Sequence, residues 1–512
     1  MCLVCCDCYF ASIRRTECFY FLGFLVRMCV EFKGLILKCE DFYANIINQS
    51  ESLKFWIQVA LFLLLALSNA VLVFGEETEW ECDNKPILRQ RPHSVSIVEF
   101  GAVGDGKTLN TLAFQNAIFY LKSFADKGGA QLYVPAGKWL TGSFNLTSHL
   151  TLFLEKDAVI LGSQDPTHWE VASPLPSYGR GIDLPGPRYQ SLINGYMLYD
   201  VIITGHNGTI DGQGSTWWDK YNSHSLNYSR PHLVEFISCN YTAVSNVTFL
   251  NAPAYNIHPV YCSYVLVQNI SVFAPSESPY TLGVVPDSSD SVCIEDSSIV
   301  VGYDAISVKS GWDEYGIAYG RPSSNIHIRS VTLKSFSGSS LAFGSEMSGG
   351  ISDVRAEQLF ISNSHSGIGF RTAKGRGGYI KNIIADEVEM ENVYMAIEAT
   401  GQSESHPDDK YDKDALPLLN GITFQNVVGS NISLAGSFTG IQESPFTSVC
   451  LLNVSLSIAS GSSAYWVCSN VSGLSQSVVP APCPDLASIT PSNSSSGSCF
   501  SLLYSNTRSS AL

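Results

Sequence analysis

The chain has 512 residues, of which 15% are charged and 45% are hydrophobic, and its formal net charge at pH 7 is −16. So negative a chain is unsuited to binding nucleic acid, and so apolar a composition favours a tightly packed β protein over a helical or disordered one. The length alone allows several ordinary domains, but a repetitive all-β fold of this size forms one unit.

The N-terminal part of the chain differs in composition from the rest. Residues 1–54 contain seven of the fifteen cysteines, and we interpret them either as a genuine extension or as a translation start placed too early. Residues 55–75 form an apolar run that follows Lys54 and ends before Glu76. A basic flank, an apolar core and small residues at the exit are typical of a signal peptide. About twenty apolar residues also suffice for a single-pass membrane anchor, which is the alternative to secretion.

The cysteines and glycosylation motifs beyond the leader favour the secretory route. An even number of cysteines fits an oxidising compartment, and we expect the last four to pair with one another. The eight positions are Cys82, Cys239, Cys262, Cys293, Cys450, Cys468, Cys483 and Cys499. Asn-x-Ser/Thr motifs indicate a secreted glycoprotein, and they occur at Asn145, Asn207, Asn227, Asn240, Asn246, Asn269, Asn431, Asn453, Asn470 and Asn493. Beyond residue 75, no Cys-x-x-Cys motif or His/Cys cluster indicates a metal site.

The first predicted element of the folded region is an amphipathic helix within residues 99–137. Apolar residues recur there at helical spacing, at Leu112, Phe114, Ala117, Ile118 and Leu121. We expect this helix to cap the open end of a β stack and so protect it from edge-to-edge pairing. The strand that follows ends at Pro135-Ala136-Gly137.

From about residue 140 the pattern changes to short apolar strands separated by Asn, Gly and Ser. Self-similar segments begin at 246, 269 and 292, which are 23 and again 23 residues apart, and continue at 325, 353, 382 and 421. A regular period of short strands without crossover helices is typical of a β-solenoid, and sparse hairpin signals speak against a sandwich. One coil cannot bury its apolar face alone, so we expect one cooperative domain. Residues 476–512, rich in Ser and Pro, are predicted to form a disulfide-tethered tail.

Several stretches between residues 92 and 475 resemble the plant-type polygalacturonases of glycoside hydrolase family 28. They are residues 99–108, 139–154, 208–214 (GlyThrIleAspGlyGlnGly), 286–290, 309–317 (LysSerGlyTrpAspGluTyrGlyIle) and 344–350 (GlySerGluMetSerGlyGly). The resemblance implies an all-β fold, a right-handed, single-stranded parallel β-helix of the pectin-lyase-like kind. It also implies a cell-wall enzyme that hydrolyses α-1,4-galacturonosyl linkages of pectin or oligogalacturonides by inversion, without a metal or organic cofactor.

Inverting hydrolysis requires one carboxyl group as acid and another as base, about 6.5–9.5 Å apart. In a β-helix, positions one coil apart stack at about 4.8 Å, and the family takes its carboxylates from an AsnThrAsp and a GlyAspAsp motif on adjacent coils. The corresponding residues here are Tyr280-Thr281-Leu282 and Gly302-Tyr303-Asp304, and Leu282 to Tyr303 spans 21 residues, as one coil should. The family's GlyHisGly position is Gly338-Ser339-Ser340. The two family motifs contain three aspartates, and only Asp304 is retained here. Tyr303 stands at the position of another, and a tyrosine, whose ordinary pKa is about 10, is a poor proton donor.

The carboxylates near these positions are the next candidates. We expect Asp304 to be the catalytic base and Asp313, which follows Lys309 together with Glu314, to supply the second catalytic carboxylate. For three further acids the first interpretation is turn chemistry, in which a carboxylate accepts nearby backbone N–H groups. Those three are Asp287, Asp290 and Glu346.

Basic residues form a predicted carboxylate-binding patch in this negatively charged chain. Arg371, Lys374 and Arg376 lie within six positions of one another, and Lys309 and Arg321 flank the Asp313 segment. Arginine grips carboxylates with two parallel hydrogen bonds, so we predict that Lys309, Arg371 and Lys374 bind substrate; a solvated loop is the alternative. Aromatic rings that could stack on sugars, or on one another across coils, are those of Tyr303, Tyr280, Trp312 and Tyr315.

Three functions remain open from the sequence. The leading one is a monomeric pectin hydrolase. The second is a pectin-binding β-helix that has lost catalysis, because Leu282, Tyr303 and Ser339 stand at the catalytic positions. The third is a β-helix lyase, which requires Ca²⁺ or an arginine base, but no clustered acidic cage in the sequence supports it.

Overall fold

The computed structural model describes residues 90–460 and 465–488. The predicted extension at 1–54 and the signal peptide or anchor at 55–75 lie outside these residues. Within them, no helix is both long and apolar enough to cross a membrane.

Most strands of the described region belong to one large sheet. These are β1 His93–Ser96, β2 Ala130–Val134, β3 Gly137–Thr141, β5 Leu150–Leu154, β6 Ala158–Gly162, β10 Tyr199–Gly205, β11 Gly208–Asp211, β13 Asn240–Ser245, β14 Val247–Leu250, β16 Ser263–Gln268, β17 Ser271–Phe273, β19 Asp290–Glu295, β20 Ser298–Val301, β22 Ser323–Ser335, β24 Ile351–Ser362, β26 Tyr379–Glu391, β28 Leu418–Ile432, β30 Phe446–Ile458, β32 Val471–Val479 and β33 Leu486–Ser488.

A second sheet forms one uninterrupted stack. Its strands are, in order, β4 Phe144–Asn145, β9 Ile193–Tyr196, β12 Val234–Ile237, β15 Tyr255–Val260, β18 Leu282–Val284, β21 Ile306–Val308, β23 Ser339–Phe343, β25 Ser366–Arg371, β27 Met395–Thr400, β29 Leu434–Thr439 and β31 Trp466–Ser469. We call it the smaller sheet. A short antiparallel pair, β7 Val171–Ala172 and β8 Arg188–Tyr189, stands apart from both sheets.

Helices are short and few among the described residues. The α-helices are α1 Thr111–Leu121, α2 Ser215–Asn222 and α3 Asp313–Tyr319, and 3₁₀ turns occupy Ile97–Phe100, Lys122–Lys127 and Pro166–His168.

Both main sheets consist of parallel strands that stack in register from one coil to the next. Val201 of β10, for example, pairs with Leu150 of the preceding coil and with Thr242 of the following one. Alternate residues point into the coil, and they form columns such as Ile294, Ile328 and Ala356, each at most 2% exposed. The predicted all-β, right-handed parallel β-helix is confirmed.

The repeated segments fall into two columns rather than one. Those at 292, 325, 353, 382 and 421 stack in register, through Val292, Ile326, Val354, Ile383 and Ile422. The segments at 246 and 269 lie in another column, where Thr248 pairs with Ser271. The step from 269 to 292 is therefore not a coil repeat, and that part of the prediction is wrong. The Asn-apolar-polar-apolar pattern occurs in both columns, at Asn246 and at Asn325 for example, and a count of residues cannot separate them.

Helix α1 covers the first coil as predicted, packing against β2 and β4. Its buried residues are Ala113, Phe114, Ala117, Ile118 and Leu121. Leu112 is 68% exposed, so its place in the predicted apolar face is wrong. It lies next to Ala113 on the helix, and the small alanine takes the buried position.

At the other end, strands continue beyond residue 475. β32 runs to Val479 and pairs with β33, which ends at Ser488, so part of the predicted tail adds to the large sheet. Cys468 and Cys483 form a disulfide, in keeping with the expected pairing among the last cysteines. Cys239 and Cys262 are buried free thiols.

Candidate active site

A cavity of about 340 Å³ is lined by residues of the smaller sheet and of the loops beside it, and we call it the central cavity. Its charged lining residues are Asp183, Arg188, Arg230, Asp304, Lys309, Glu346 and Arg371. Its apolar and aromatic lining residues are Ile182, Tyr221, His232, Ala254, Tyr255, Tyr280, Leu282, Tyr303 and Trp312. Of the six residues predicted from the sequence, four lie here, namely Asp304, Lys309, Arg371 and Tyr303.

The register of the smaller sheet fixes which residues face one another across coils. Val284 pairs with Ile306, which places Leu282 opposite Asp304 rather than opposite Tyr303. The coil is thus 22 residues long at this point, and the predicted spacing of 21 is wrong by one position. Asp304 lies just before β21. Because Ile306 of β21 pairs with Leu341 of β23, Asp304 lies opposite Ser339, the first residue of β23, on the next coil.

Asp304 is fully buried and its carboxylate is held on several sides. Oδ1 accepts the backbone N–H of Ser339 at 2.9 Å, and Oδ2 accepts the hydroxyl of Ser307 at 3.3 Å. The guanidinium of Arg371, at the end of β25, also binds Oδ2 as an ion pair. The three donors approach the two carboxylate oxygens from different sides and together hold the carboxylate in one orientation.

Tyr303 stands beside this pair and shares its arginine. The Arg371 guanidinium donates to the Tyr303 hydroxyl at 2.7 Å and lies 5.2 Å from the centre of its ring. The ring of Tyr280 lies 4.8 Å away on the preceding coil. Burial raises the pKa of Tyr303 to about 12, with the charge of Asp304 adding to the effect. The phenol therefore keeps its proton throughout the physiological range.

A second ion pair in the central cavity joins Glu346 to Lys309. Burial by itself would raise the pKa of Glu346, but the charges of Lys309 and Arg376 outweigh it and lower that pKa to about 2. Glu346 is thus ionised at mildly acidic and neutral pH, so it cannot donate a proton there.

A third pair joins Asp183, in the loop between β7 and β8, to Arg230, which precedes β12. Arg230 binds both oxygens of Asp183, at 2.9 and 3.1 Å, and its guanidinium lies 4.1 Å from the ring centre of Tyr221. The same guanidinium donates to the carbonyls of Pro253 and Pro279. Arg230 is only 3% exposed, so this network anchors the loop to the coils below it.

The fourth pair continues as a buried chain behind the cavity wall. Arg188 donates to both oxygens of Glu235, at 2.9 and 2.7 Å. The His258 ring lies between Glu235, 3.0 Å from Nδ1, and Asp287, 3.4 Å from Nε2. Burial opposes protonation of His258, but its two carboxylate neighbours prevail and raise its pKa. Positive and negative side chains thus alternate along this buried row.

Three of these side chains could reach a common metal ion, since donor atoms of His232, Glu235 and His258 lie within 4.8 Å of one another. Both oxygens of Glu235 already bind the guanidinium of Arg188. A cation would have to displace that charge, so the donor set does not fit a resident metal.

The remaining two predicted residues lie away from the central cavity. Asp313, the first residue of α3, is fully buried between Arg376, with which it forms an ion pair, and His406, whose Nδ1 lies 2.6 Å from its carboxylate. Lys374 binds Glu443 at 2.6 Å, and both side chains are about half exposed. Neither Asp313 nor Lys374 lines the cavity, and their predicted roles stay predictions.

The sequence did not lead us to two of the four ion pairs, Asp183–Arg230 and Arg188–Glu235. Asp183, Arg188, Arg230, Glu235 and His258 were not among the candidates. One signal was available: charged residues are scarce in this chain, so a charged residue within or next to an apolar strand is unusual, and several of these five have such a position. Their pairing could not be read from the sequence, since Arg188 and Glu235 are 47 positions apart.

Comparison with known proteins agrees with this architecture. The model of the family described as Glycosyl hydrolases family 28 matches residues 185–483. A Vitis vinifera protein named "Probable polygalacturonase" is 48% identical over 443 residues, which are 85% of this chain and 90% of that protein. The chain belongs to glycosyl hydrolases family 28.

Solved structures of polygalacturonases show the same fold. The crystal structure of a hyperthermoactive exopolygalacturonase from Thermotoga maritima superposes with a TM-score of 0.64 at 26% identity, covering 74% of this chain and 92% of that one. The polygalacturonase of Erwinia carotovora gives a TM-score of 0.61 at 20% identity, covering 77% and 98%. This family 28 chain is therefore a glycoside hydrolase by descent, with Leu282 and Tyr303 at two positions where the family resemblance leads us to expect aspartate.

Proposed function

We propose that this family 28 protein hydrolyses α-1,4-galacturonosyl linkages of pectin or oligogalacturonides with inversion, and that Asp304 is the catalytic base. The observation that carries the proposal is the buried Asp304 carboxylate, held in the central cavity by Arg371 and the Ser339 N–H. A general base must reach the attacking water, and Asp304 is a carboxylate that lines the cavity. The polygalacturonase names of the relatives support the substrate class.

The proton donor is the weak part of this site. Inversion needs a protonated group on the opposite face of the sugar from the base. Glu346 is ionised, so we assign the donor role to the hydroxyl of Tyr303, a neutral O–H group that lines the cavity. With a pKa of about 12 it protonates a leaving group poorly, and we propose slow turnover. Asp313 is left out of the proposed catalytic set because its carboxylate is engaged by Arg376 and His406.

The test measures reducing ends released from polygalacturonate by the purified protein, with the anomeric configuration of the product followed by NMR. We expect slow release of the inverted product and its loss in Asp304→Asn. The surface variant Glu443→Gln should match the wild type, since that carboxylate lies outside the cavity. Full activity in Asp304→Asn would remove Asp304 from the proposed role.

A second candidate is a pectin-binding protein without turnover. It is favoured by Leu282 and Tyr303, which leave one aligned carboxylate where inversion needs two. If the wild type binds polygalacturonate yet releases no reducing ends, this candidate replaces the first. The double variant Leu282→Asp with Tyr303→Asp should then gain turnover, since acid and base catalysis each contribute about 10²–10⁴-fold.

We also propose that the protein is secreted to the cell wall as a glycosylated monomer. The glycosylation motifs and the Cys468–Cys483 disulfide support an oxidising route. Mass spectrometry of the secreted protein should find its N-terminus between Ser68 and Glu77. Peptides from residues 1–54 in the mature protein would favour the anchored form instead.

A further inference from the structure

We propose that the central cavity accepts a galacturonate residue whose carboxyl group is methyl-esterified, and that Leu282 determines this preference. The inference rests on the proposed function, because it names the form of pectin that the same site takes. Two independent features support it, the charge balance of the cavity and its apolar wall.

The first feature is that the charges of the cavity already neutralise one another. Among the residues that the structure describes, each charged side chain of the lining is bound to a partner of opposite sign. The four pairs are Asp304–Arg371, Glu346–Lys309, Asp183–Arg230 and Arg188–Glu235. Lys374, which the sequence suggested as a further substrate ligand, binds Glu443 outside the cavity.

This balance discriminates between the two forms of the sugar. A free uronate carboxylate would have to compete with a protein carboxylate for one of these cations, and the loser would remain buried without a partner. A methyl ester carries no charge, so it can enter while every protein ion pair stays intact. The carbonyl of the ester can still accept a hydrogen bond from a guanidinium.

The second feature is an apolar surface next to the proposed base. Leu282 belongs to a cluster that is distinct from the main core and lines the cavity beside Asp304, its neighbour on the next coil. The other members of the cluster that line the cavity are Ala254, Tyr255, Ile182 and Tyr303. An ester methyl group resting on this surface leaves water, which favours binding. An anionic carboxylate at the same place would lose its hydration without compensation.

The experiment compares two oligogalacturonides of equal length, one fully methyl-esterified and one with free carboxyl groups, by isothermal titration calorimetry. We expect the wild type to bind the ester about tenfold more tightly, the discrimination that a small apolar contact gives. Its affinity should change little between low and high salt, since the ligand is neutral. Leu282→Asn should lose the preference, and Leu282→Met should keep it.

A matched control applies the same change elsewhere. Leu112→Asn alters an exposed leucine of α1 outside the cavity and should leave both affinities unchanged. Equal or tighter binding of the free acid by the wild type would overturn the ester preference while leaving the proposed function standing. Binding of neither oligomer would remove the proposed function and the inference together. An ester preference that persists in Leu282→Asn would overturn the role of Leu282.

Discussion

At the scale of single residues, the buried charge of Asp304 depends on Arg371. We predict that Arg371→Met lowers the free energy of unfolding by about 3–5 kcal/mol, because it leaves a buried carboxylate without its partner. Adding Asp304→Asn should recover most of that loss, since the double variant removes both charges. A double-mutant cycle from urea unfolding measures the coupling. Additive effects would show that the two side chains do not stabilise each other.

Glu346 gives the molecule an acid-sensitive ion pair. Its pKa is lowered from 4.5 to about 2, so its contribution to stability is present in full above pH 4.5 and is lost as the pH falls towards 2. We predict that Glu346→Gln costs about 3 kcal/mol at pH 6 and that the variant's unfolding free energy varies less between pH 4.5 and 2. Chemical denaturation across this range checks it. Glu443→Gln should change the profile far less, because Lys374 also lowers the pKa of Glu443 but that pair is exposed and screened by solvent. A profile equally steep in Glu346→Gln would contradict the assignment.

Much of the site could be predicted from motifs, but its pairings could not. Asp304 and Tyr303 follow from the family resemblance, and Lys309 and Arg371 from the clustering of basic residues. All four line the cavity. Asp313 looked equally suitable, because it follows Lys309 in sequence. Its burial depends on contacts with Arg376 and His406, which are 63 and 93 positions away, and no local pattern shows contacts of that range.

At the scale of elements, asparagines at the turns stack from one coil to the next in part of the β-helix. Asn363, Asn392 and Asn431 all have positive φ values, of 48°, 56° and 54°, a conformation that asparagine tolerates better than other residues with a side chain. They stack on successive coils, with Nδ2 of Asn431 donating to Oδ1 of Asn392 at 2.7 Å. The Asn392 amide donates in turn to Asn363 at 3.4 Å.

We predict that Asn392→Ala lowers the free energy of unfolding by about 1–2 kcal/mol, from a strained backbone and a lost side-chain ladder. Asn392→Gly should cost less, because glycine adopts the same φ without strain and loses only the ladder. Thermal unfolding of the two variants separates these causes. Equal losses in the two variants would show that the ladder, rather than the backbone conformation, accounts for the effect.

The strands illustrate what periodicity can and cannot specify. The five segments from 292 to 421 are recognisable as repeats, and the structure stacks them because each presents a valine or an isoleucine to the interior at the same position. The segments at 246 and 269 have the same appearance, yet they occupy another column. Register depends on loop length within each coil, and the insertion that contains α3 lengthens one coil without changing the strand pattern.

At the scale of the whole molecule, pairing is continuous from β1 to β33, since each coil bonds to the one before and the one after it. Such a stack has two ends, and an uncovered end offers free N–H and C=O groups to another chain. Helix α1 covers the N-terminal end. Its Phe114 is fully buried and stacks on Phe144 of β4 with ring centres 4.5 Å apart.

We predict that Phe114→Ala lowers the free energy of unfolding by about 3–5 kcal/mol, as expected for a large buried aromatic residue, and also promotes aggregation. The second effect follows because a loosened helix exposes the edge of the first coil, which can then pair with another molecule. Phe119→Ala is the matched control, since Phe119 lies on the same helix but is 81% exposed. Circular dichroism melts give the stability, and light scattering below the melting temperature gives the association. Equal behaviour of the two variants, or a destabilised Phe114→Ala that stays monomeric, would show that α1 contributes packing but does not protect the end of the stack.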